Sequence, residues 1–256
     1  MKLAPNSFKA GLASNRLQVG LWSSLCSNIV AEILAHSGFD WILLDTEHSP
    51  NELPGLLIQL QAMKSGNASP VVRVAWNDPV LIKRVLDIGV TSVLIPFVEN
   101  EGEADRAVRA CRYPPEGIRG VTGSGRASQY GRNLNYLQEA NDNLCILVQI
   151  ESIAALNEID NIARIKGVDG VFVGPSDLAA SMGHIGNPSH QDVQAAIQNA
   201  GRRLADLGMP AGILSSTEER VRQYIEWGYR FVAVGSDVGL ITNGSSKLVA
   251  SFAEAY

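Results

Sequence analysis

One pattern constrains this chain more than any other: eight short apolar runs, each followed by a stretch with helical spacing, fill its 256 residues. The runs are Val19–Ser23, Trp41–Asp45, Val71–Val74, Val93–Phe97, Cys145–Glu151, Gly170–Gly174, Ala211–Leu214 and Phe231–Gly235. Nearly continuous Val, Ile and Leu over so few residues marks strands buried on both faces. Helices are predicted at about Asn28–His36, Leu53–Met63, Pro79–Asp87, Glu101–Cys111, Ile153–Ile165, Gln191–Leu207, Glu218–Trp227 and Gly239–Glu254. Val80, Ile82, Val85 and Leu86 give the third an apolar face. Gly38, Gly89, Gly167, Gly208 and Gly228 stand just past helix ends, where a left-handed residue is wanted. Strand and helix alternating eight times in about 250 residues predict an α/β chain, a (β/α)₈ TIM barrel forming one domain over 1–256. A doubly wound open sheet is the competing architecture.

Composition excludes several classes. Hydrophobic residues at 46% and charged ones at 18% are those of a globular protein, and a net charge of -5 without a basic stripe speaks against nucleic acid. No segment has the apolar length of a membrane span or a leader peptide. Cys26, Cys111 and Cys145 form no Cys-x-x-Cys pair, so neither a disulfide framework nor a thiolate zinc site is expected, and a reducing cytoplasm fits.

A barrel carries its chemistry at the carboxyl ends of its strands, so polar residues there are informative. The second run ends Asp45-Thr-Glu47-His48, the third Arg73-Val, and the sixth Gly174-Pro-Ser176-Asp177. In the fifth, Gln149 and Glu151 share one side and Val148 and Ile150 the other. Helices cover the outside, so the polar pair faces the mouth. There Glu151 needs a partner, and Asp177 is the nearest acid to share a cation with it. Two carboxylates plus water suit Mg²⁺ or Mn²⁺ better than zinc. The same acids would serve equally as ordinary carboxylates at helix starts.

His48, with Asp45 and Glu47 beside it, is either a general base or a surface histidine before the turn at Ser49-Pro50. Arg73, inside an apolar strand, must meet an anion: substrate, or a permanent partner such as Asp45 or Glu151. Trp22 either walls the pocket or belongs to the core. His36, His184 and His190 read as structural. None of the six lysines falls on the inner face of a strand, so a Schiff-base mechanism is disfavoured against a metal-assisted enolate. The irregular stretch Arg112–Asn133, with Gly120-Val-Thr-Gly123-Ser-Gly125, reads as a mobile lid and not a dinucleotide loop.

Several segments together resemble the HpcH/HpaI family of metal-dependent pyruvate aldolases. They are Asn6-Ser-Phe-Lys-Ala10, Gly20-Leu-Trp22, Gly38-Phe-Asp-Trp41, Glu47-His48, Pro70-Val-Val-Arg73, Arg112-Tyr-Pro-Pro-Glu-Gly-Ile-Arg-Gly120, Leu147-Val-Gln-Ile-Glu151, Val171-Phe-Val-Gly-Pro-Ser-Asp177 and Phe231-Val-Ala-Val-Gly235. The resemblance implies a barrel of the phosphoenolpyruvate/pyruvate type that cleaves 4-hydroxy-2-oxo acids to pyruvate and an aldehyde. It implies Mg²⁺ or Mn²⁺ (with Co²⁺ able to replace them), no organic cofactor, and a hexamer whose C-terminal helix packs on a neighbour.

Residue by residue, the resemblance implies Glu151 and Asp177 as metal ligands, and Gln149, Ser176 and Asp177 in substrate binding, with Trp22 beside them. His48 would be the base, Arg73 the stabiliser of the enolate, and Asp87 a support for the histidine, with Asp45 also among the catalytic group. Val121 and Leu214 would meet the aldehyde. Within the family, Trp22-Ser-Ser-Leu25, Ile95-Pro-Phe-Val-Glu99, Gly183-His-Ile-Gly186 and Glu226-Trp-Gly228 lean towards 2-dehydro-3-deoxyglucarate over 4-hydroxy-2-oxoheptanedioate as substrate. Thr46, where relatives usually carry Gly, and Thr122–Arg132 depart from the pattern beside the aldehyde half. An alternative activity on acyl-CoA esters would need a basic groove, for which Arg119, Arg126 and Arg132 are available. A non-catalytic oxo-acid binding protein would keep the metal acids without needing His48.

Overall fold

A computed structural model describes residues 3–252. In chain order the elements are α1 (Ser7–Ala13), β1 (Gln18–Ser23), α2 (Asn28–Ala35), β2 (Trp41–Asp45), α3 (Leu53–Ala62), β3 (Ser69–Arg73), α4 (Pro79–Asp87), β4 (Ser92–Ile95) and α5 (Glu101–Cys111). There follow α6 (Tyr136–Asn143), β5 (Cys145–Ile150), α7 (Ile153–Asn157), α8 (Ile159–Ala163), β6 (Gly170–Val173), α9 (Pro175–Ser181), α10 (Gln191–Asp206), β7 (Ala211–Leu214), α11 (Glu218–Glu226), β8 (Tyr229–Ser236) and α12 (Asp237–Ala250). The eight strands are all parallel, each pairs with the next, and β8 pairs with β1, which closes the barrel.

Alternation along each strand divides the core into two shells. Leu43, Val71, Leu94, Leu147, Phe172 and Phe231 fill the inside, while Ile42, Leu44, Val72, Val148, Ile150 and Val173 pack outward against the helices. The inner stack is sealed at the amino end by α1. Phe8 lies 5.8 Å from the Trp41 ring and 5.9 Å from Phe231. Asn6 caps the helix and also donates from Nδ2 to the Thr91 carbonyl, Ser92 Oγ and the Asn143 carbonyl. Only the carboxyl end is left for chemistry.

Several expectations need correction. The helix expected over Ile153–Ile165 is two short ones, because Glu158 leaves helical dihedrals and ends α7 while starting α8. Helices α1, α6 and α9 were not anticipated. Pro175 at the first turn of α9 and Asp177 behind it are ordinary helix-start signals that the apolar run before them obscured. The last helix begins earlier, at Asp237 behind a Ser236 cap, and Glu254 lies outside the described residues. The five helix-end glycines all have positive φ, as the pattern required.

The Arg112–Asn133 stretch is fastened along α4 and the start of β4, not draped over the mouth. Arg119 is buried, donates to Asp87 at 2.8 Å and to the Tyr136 hydroxyl at 3.2 Å, and stacks over Tyr113. Arg126 donates to the Ile88 carbonyl. Among the described residues no helix is long and apolar enough to cross a membrane, and the three cysteines are unpaired.

Candidate active site

Inward-facing positions at the tops of adjacent strands bring Trp22, Asp45, Arg73 and Gln149 together, with Glu47 and Glu151 one step beyond. Asp45 and Arg73 are register partners across β2 and β3. Arg73 Nε donates to Asp45 Oδ1 at 2.8 Å and Nη2 to Oδ2 at 2.6 Å, a bidentate pair. Its Nη1 lies 2.6 Å from Glu47 Oε2, an ion-pair contact outside hydrogen-bond alignment. The guanidinium sits 4.8 Å over the Trp22 ring, and Trp22 Nε1 donates to Asp45 at 3.2 Å. Of the two readings of Arg73, the protein-borne ion pair is present, with Asp45 and Glu47 as its anions. Three of the five guanidinium N–H groups make no hydrogen bond to the protein, two of them on the Nη1 that faces Glu47.

Across the mouth Gln149 Nε2 donates to Glu151 Oε2 at 2.6 Å, so the two do share a side. Gln149 Oε1 is buried without a donor. The Phe97 backbone N–H donates to Glu151 Oε1 at 2.9 Å. Gly174 leaves the room: a Cβ there would meet Glu151 Oε2 at 2.8 Å and Glu151 Cβ at 3.0 Å. Asp177 follows in the first turn of α9, with Ser176 exposed beside it.

Four carboxylates, Asp45, Glu47, Glu151 and Asp177, thus cluster at the mouth, with one guanidinium held on Asp45 and Glu47. Burial, offset in part by Arg73 and reinforced by Asp45 and Asp177, pushes Glu47 up to about 7. Burial also pushes Glu151 up to about 7, against the hydrogen bonds from Gln149 and Phe97 and with repulsion from Glu47 and Asp177. Asp45 escapes this: burial raises its carboxyl, but the hydrogen bonds and charge of Arg73 outweigh it and leave a net lowering. The excess of buried negative charge fits a divalent cation, and an all-oxygen donor set with the unpartnered Gln149 Oε1 suits a hard one.

His48 stands at the rim, 63% exposed in its side chain, with Nε2 4.0 Å from Glu47. Leu214 ends β7 and faces the mouth. Asp87 and Val121 are elsewhere. Helices run antiparallel to the strands they follow, so Asp87 at the end of α4 lies near the amino end of the barrel, paired with Arg119. Gly120 neighbours Lys83 on the same helix, which carries Val121 to that flank. Within one chain neither reaches His48. With Arg119 buried on Asp87 and Arg126 on Ile88, the basic groove for CoA phosphates is not assembled.

Two participants were missed by sequence reasoning. From sequence Glu47 reads only as a neighbour of His48; it lies past the end of β2, and the fold brings it onto Arg73. Asp237 is 2% exposed and gathers Ser23 Oγ and the backbone N–H groups of Ser24, Leu25 and Val238, which fixes the loop after β1 against β8. No local spacing announces that role. Among the described residues one trio has ligand atoms within 4.8 Å of one another, His184, His190 and Asp192, but the two histidine rings are stacked 3.5 Å apart. His190 Nδ1 accepts from the Asp192 N–H as the cap of α10, so its role here is structural.

Comparison with known proteins gives the family. The family profile described as HpcH/HpaI aldolase/citrate lyase matches residues 18–244. The chain is 52% identical over 248 residues to the 5-keto-4-deoxy-D-glucarate aldolase of Escherichia coli O6:H1, covering 97% of each, and 53% identical to that of Salmonella arizonae over the same shares. A crystal structure of an HpcH/HpaI aldolase/citrate lyase family protein from Burkholderia cenocepacia superposes with a TM-score of 0.94 at 39% identity, covering 96% of this chain and 98% of that one.

Proposed function

This chain belongs to the HpcH/HpaI aldolase/citrate lyase family, and from that premise we propose how its residues divide the work of an aldolase. It is a carbon–carbon lyase that cleaves 4-hydroxy-2-oxo acids to pyruvate and an aldehyde, reversibly. Its substrate, on this reading, is 5-keto-4-deoxy-D-glucarate, which numbered from its other end is a 2-dehydro-3-deoxy diacid. The observation that carries the reading is the cluster of four carboxylates at the barrel mouth, two of them on Arg73 and two, Glu151 and Asp177, without a cationic partner of their own among the described residues.

Glu151 and Asp177 would hold a divalent ion, Mg²⁺ or Mn²⁺, as buried carboxylates short of positive charge. When bound, that ion supplies Lewis acidity to the carboxylate and keto oxygens of the oxo acid. Gln149 and Ser176 orient that half. His48, at the rim and open to solvent, accepts the 4-hydroxyl proton as the C3–C4 bond breaks. The bonding pair passes into the pyruvate enolate, and the former C4 becomes the aldehyde carbon. Arg73 is held in place by Asp45 and offers its remaining N–H groups to the growing negative charge. Such preorganised stabilisation needs no reorganisation during the reaction. A proton returned to C3 completes the pyruvate methyl group.

An oligomer, a hexamer by family resemblance, accounts for two features. Ile241–Ala250 of α12 are all exposed although they include Ile241, Leu248 and Val249. Asp87 and Val121 can serve a mouth only if that mouth belongs to a second copy. A cytoplasmic setting suits three unpaired cysteines. The test is pyruvate release from a panel of 4-hydroxy-2-oxo acids, with and without EDTA. Release from the diacid that is lost on chelation supports the reading. Undiminished release after rigorous chelation, or none from any oxo acid, sinks it.

A further inference from the structure

A second cavity, of about 380 Å³, opens from the mouth beside Ser176 and Leu214 and runs outward between α10 and α11. Its wall differs from the carboxylate cluster: Ser189, Ser215, Ser216, Thr217 and Ser236 line it with hydroxyls, and Arg220 is its one cation. Among the described residues Arg220 makes no ion pair; its recorded hydrogen bond runs from Nη1 to Gln223 Oε1 at 2.6 Å. Gln194 forms the inner wall and is only 8% exposed. Its Nε2 is committed to the Pro188 carbonyl at 2.7 Å and the Tyr224 hydroxyl at 3.1 Å. Its Oε1 is left buried with no donor. A buried acceptor without a donor is unfavourable and gains from a ligand hydroxyl that brings one.

We propose that this cavity receives the distal end of the substrate, a carboxylate read by Arg220 and an adjacent hydroxyl read by Gln194 Oε1. The inference rests on the reading that Glu151 and Asp177 anchor the pyruvate half. Charge placement supports it. A diacid brings a second carboxylate, and Arg73 already faces two carboxylates of the protein. Arg220 is the guanidinium next along the mouth without such a partner. One arginine as the only cation of the wall matches a single carboxylate. A volume of this size accommodates a three-carbon hydroxy acid.

The experiment runs the enzyme in the aldol direction with pyruvate and either 2-hydroxy-3-oxopropanoate, which carries the carboxylate and hydroxyl, or glycolaldehyde, which lacks the carboxylate. Arg220→Met should lower kcat/KM for the charged aldehyde tenfold to a hundredfold relative to the neutral one. That is about 1.4–2.8 kcal/mol, the range of a hydrogen bond to a charged group. Arg220→Lys should fall between the two. Exchange of the pyruvate methyl protons, which needs no aldehyde, separates the possible failures. Intact exchange with an unchanged preference, or with equal losses on both aldehydes, overturns the assignment of the cavity. Absence of exchange in the unaltered enzyme overturns the reading of the pyruvate half, and this inference with it.

Discussion

Gly174→Ala is a one-carbon probe of how tightly the acidic pair is packed. The new Cβ would stand 2.8 Å from Glu151 Oε2, 3.0 Å from Glu151 Cβ and 3.1 Å from Gln149 Nε2. The carboxylate oxygen can swing aside, but the Glu151 Cβ is fixed by the backbone, so strand β5 or the start of α9 must give. Overpacking of this kind costs about 1–3 kcal/mol. For a chain of this length that is a fall in Tm of roughly 2–12 °C. Displacing Glu151 also breaks its 2.6 Å bond from Gln149, so the cation site should loosen in parallel. The assay pairs thermal unfolding with a Mn²⁺ titration followed by calorimetry. Gly123→Ala is the control, because nothing lies within 4 Å of a Cβ there. It should be neutral or stabilising by about 0.4–1 kcal/mol. A Gly174→Ala protein with unaltered Tm and unaltered Mn²⁺ affinity would refute the close packing on which the argument depends.

Other outcomes follow from the same geometry. Glu151→Gln and Asp177→Asn should bind Mn²⁺ weakly and stay inactive at metal concentrations that saturate the parent; calorimetry beside pyruvate release checks both. His48→Ala should lose about 10²–10⁴ in rate and recover partly with an added small base, whereas Arg73→Ala should not recover and Arg73→Lys should regain little, because a point charge cannot copy the planar fork. Near-normal methyl-proton exchange in Arg73→Ala would reduce the arginine to a structural ion pair. Asp45→Asn should destabilise at neutral pH, by less than the about 3–5 kcal/mol of a fully broken buried pair, because Glu47 remains on Nη1. The Asp45 carboxyl is lowered from 3.8 in the fold, so its contribution is present above that value and disappears as pH falls through the depressed one. Stability against pH should therefore lose part of its acid limb in the variant.

The barrel was legible because its signals are periodic and repeated: eight continuous apolar runs leave few other architectures, and glycines mark where helices stop. Gln149 and Glu151 were legible for a related reason, since a polar pair at i, i+2 in an apolar strand breaks its own pattern. What stayed hidden depends on distance in space. Nothing near Arg73 says whether Asp45, Glu47 or Glu151 will pair with it, and only the β2–β3 register decides. Asp87, assigned to the site by resemblance, sits at the far end of the barrel in its own chain because a helix reverses direction after each strand. Gln194 and Arg220 lie on different helices, and no spacing links them. Helix α9 was lost because Gly174-Pro175 both ends a strand and starts a helix.

The plug formed by α1 also has a consequence in time. Phe8 and Leu12 are made about 220 residues before Phe231, against which Phe8 packs edge-on at 5.9 Å. At synthesis rates of about 5–20 residues per second, those apolar side chains wait roughly 10–45 s for their partner. The nascent chain must therefore keep these apolar side chains from wrong associations for that whole interval. Closure of β8 on β1, which completes the barrel over α1, ends that exposure.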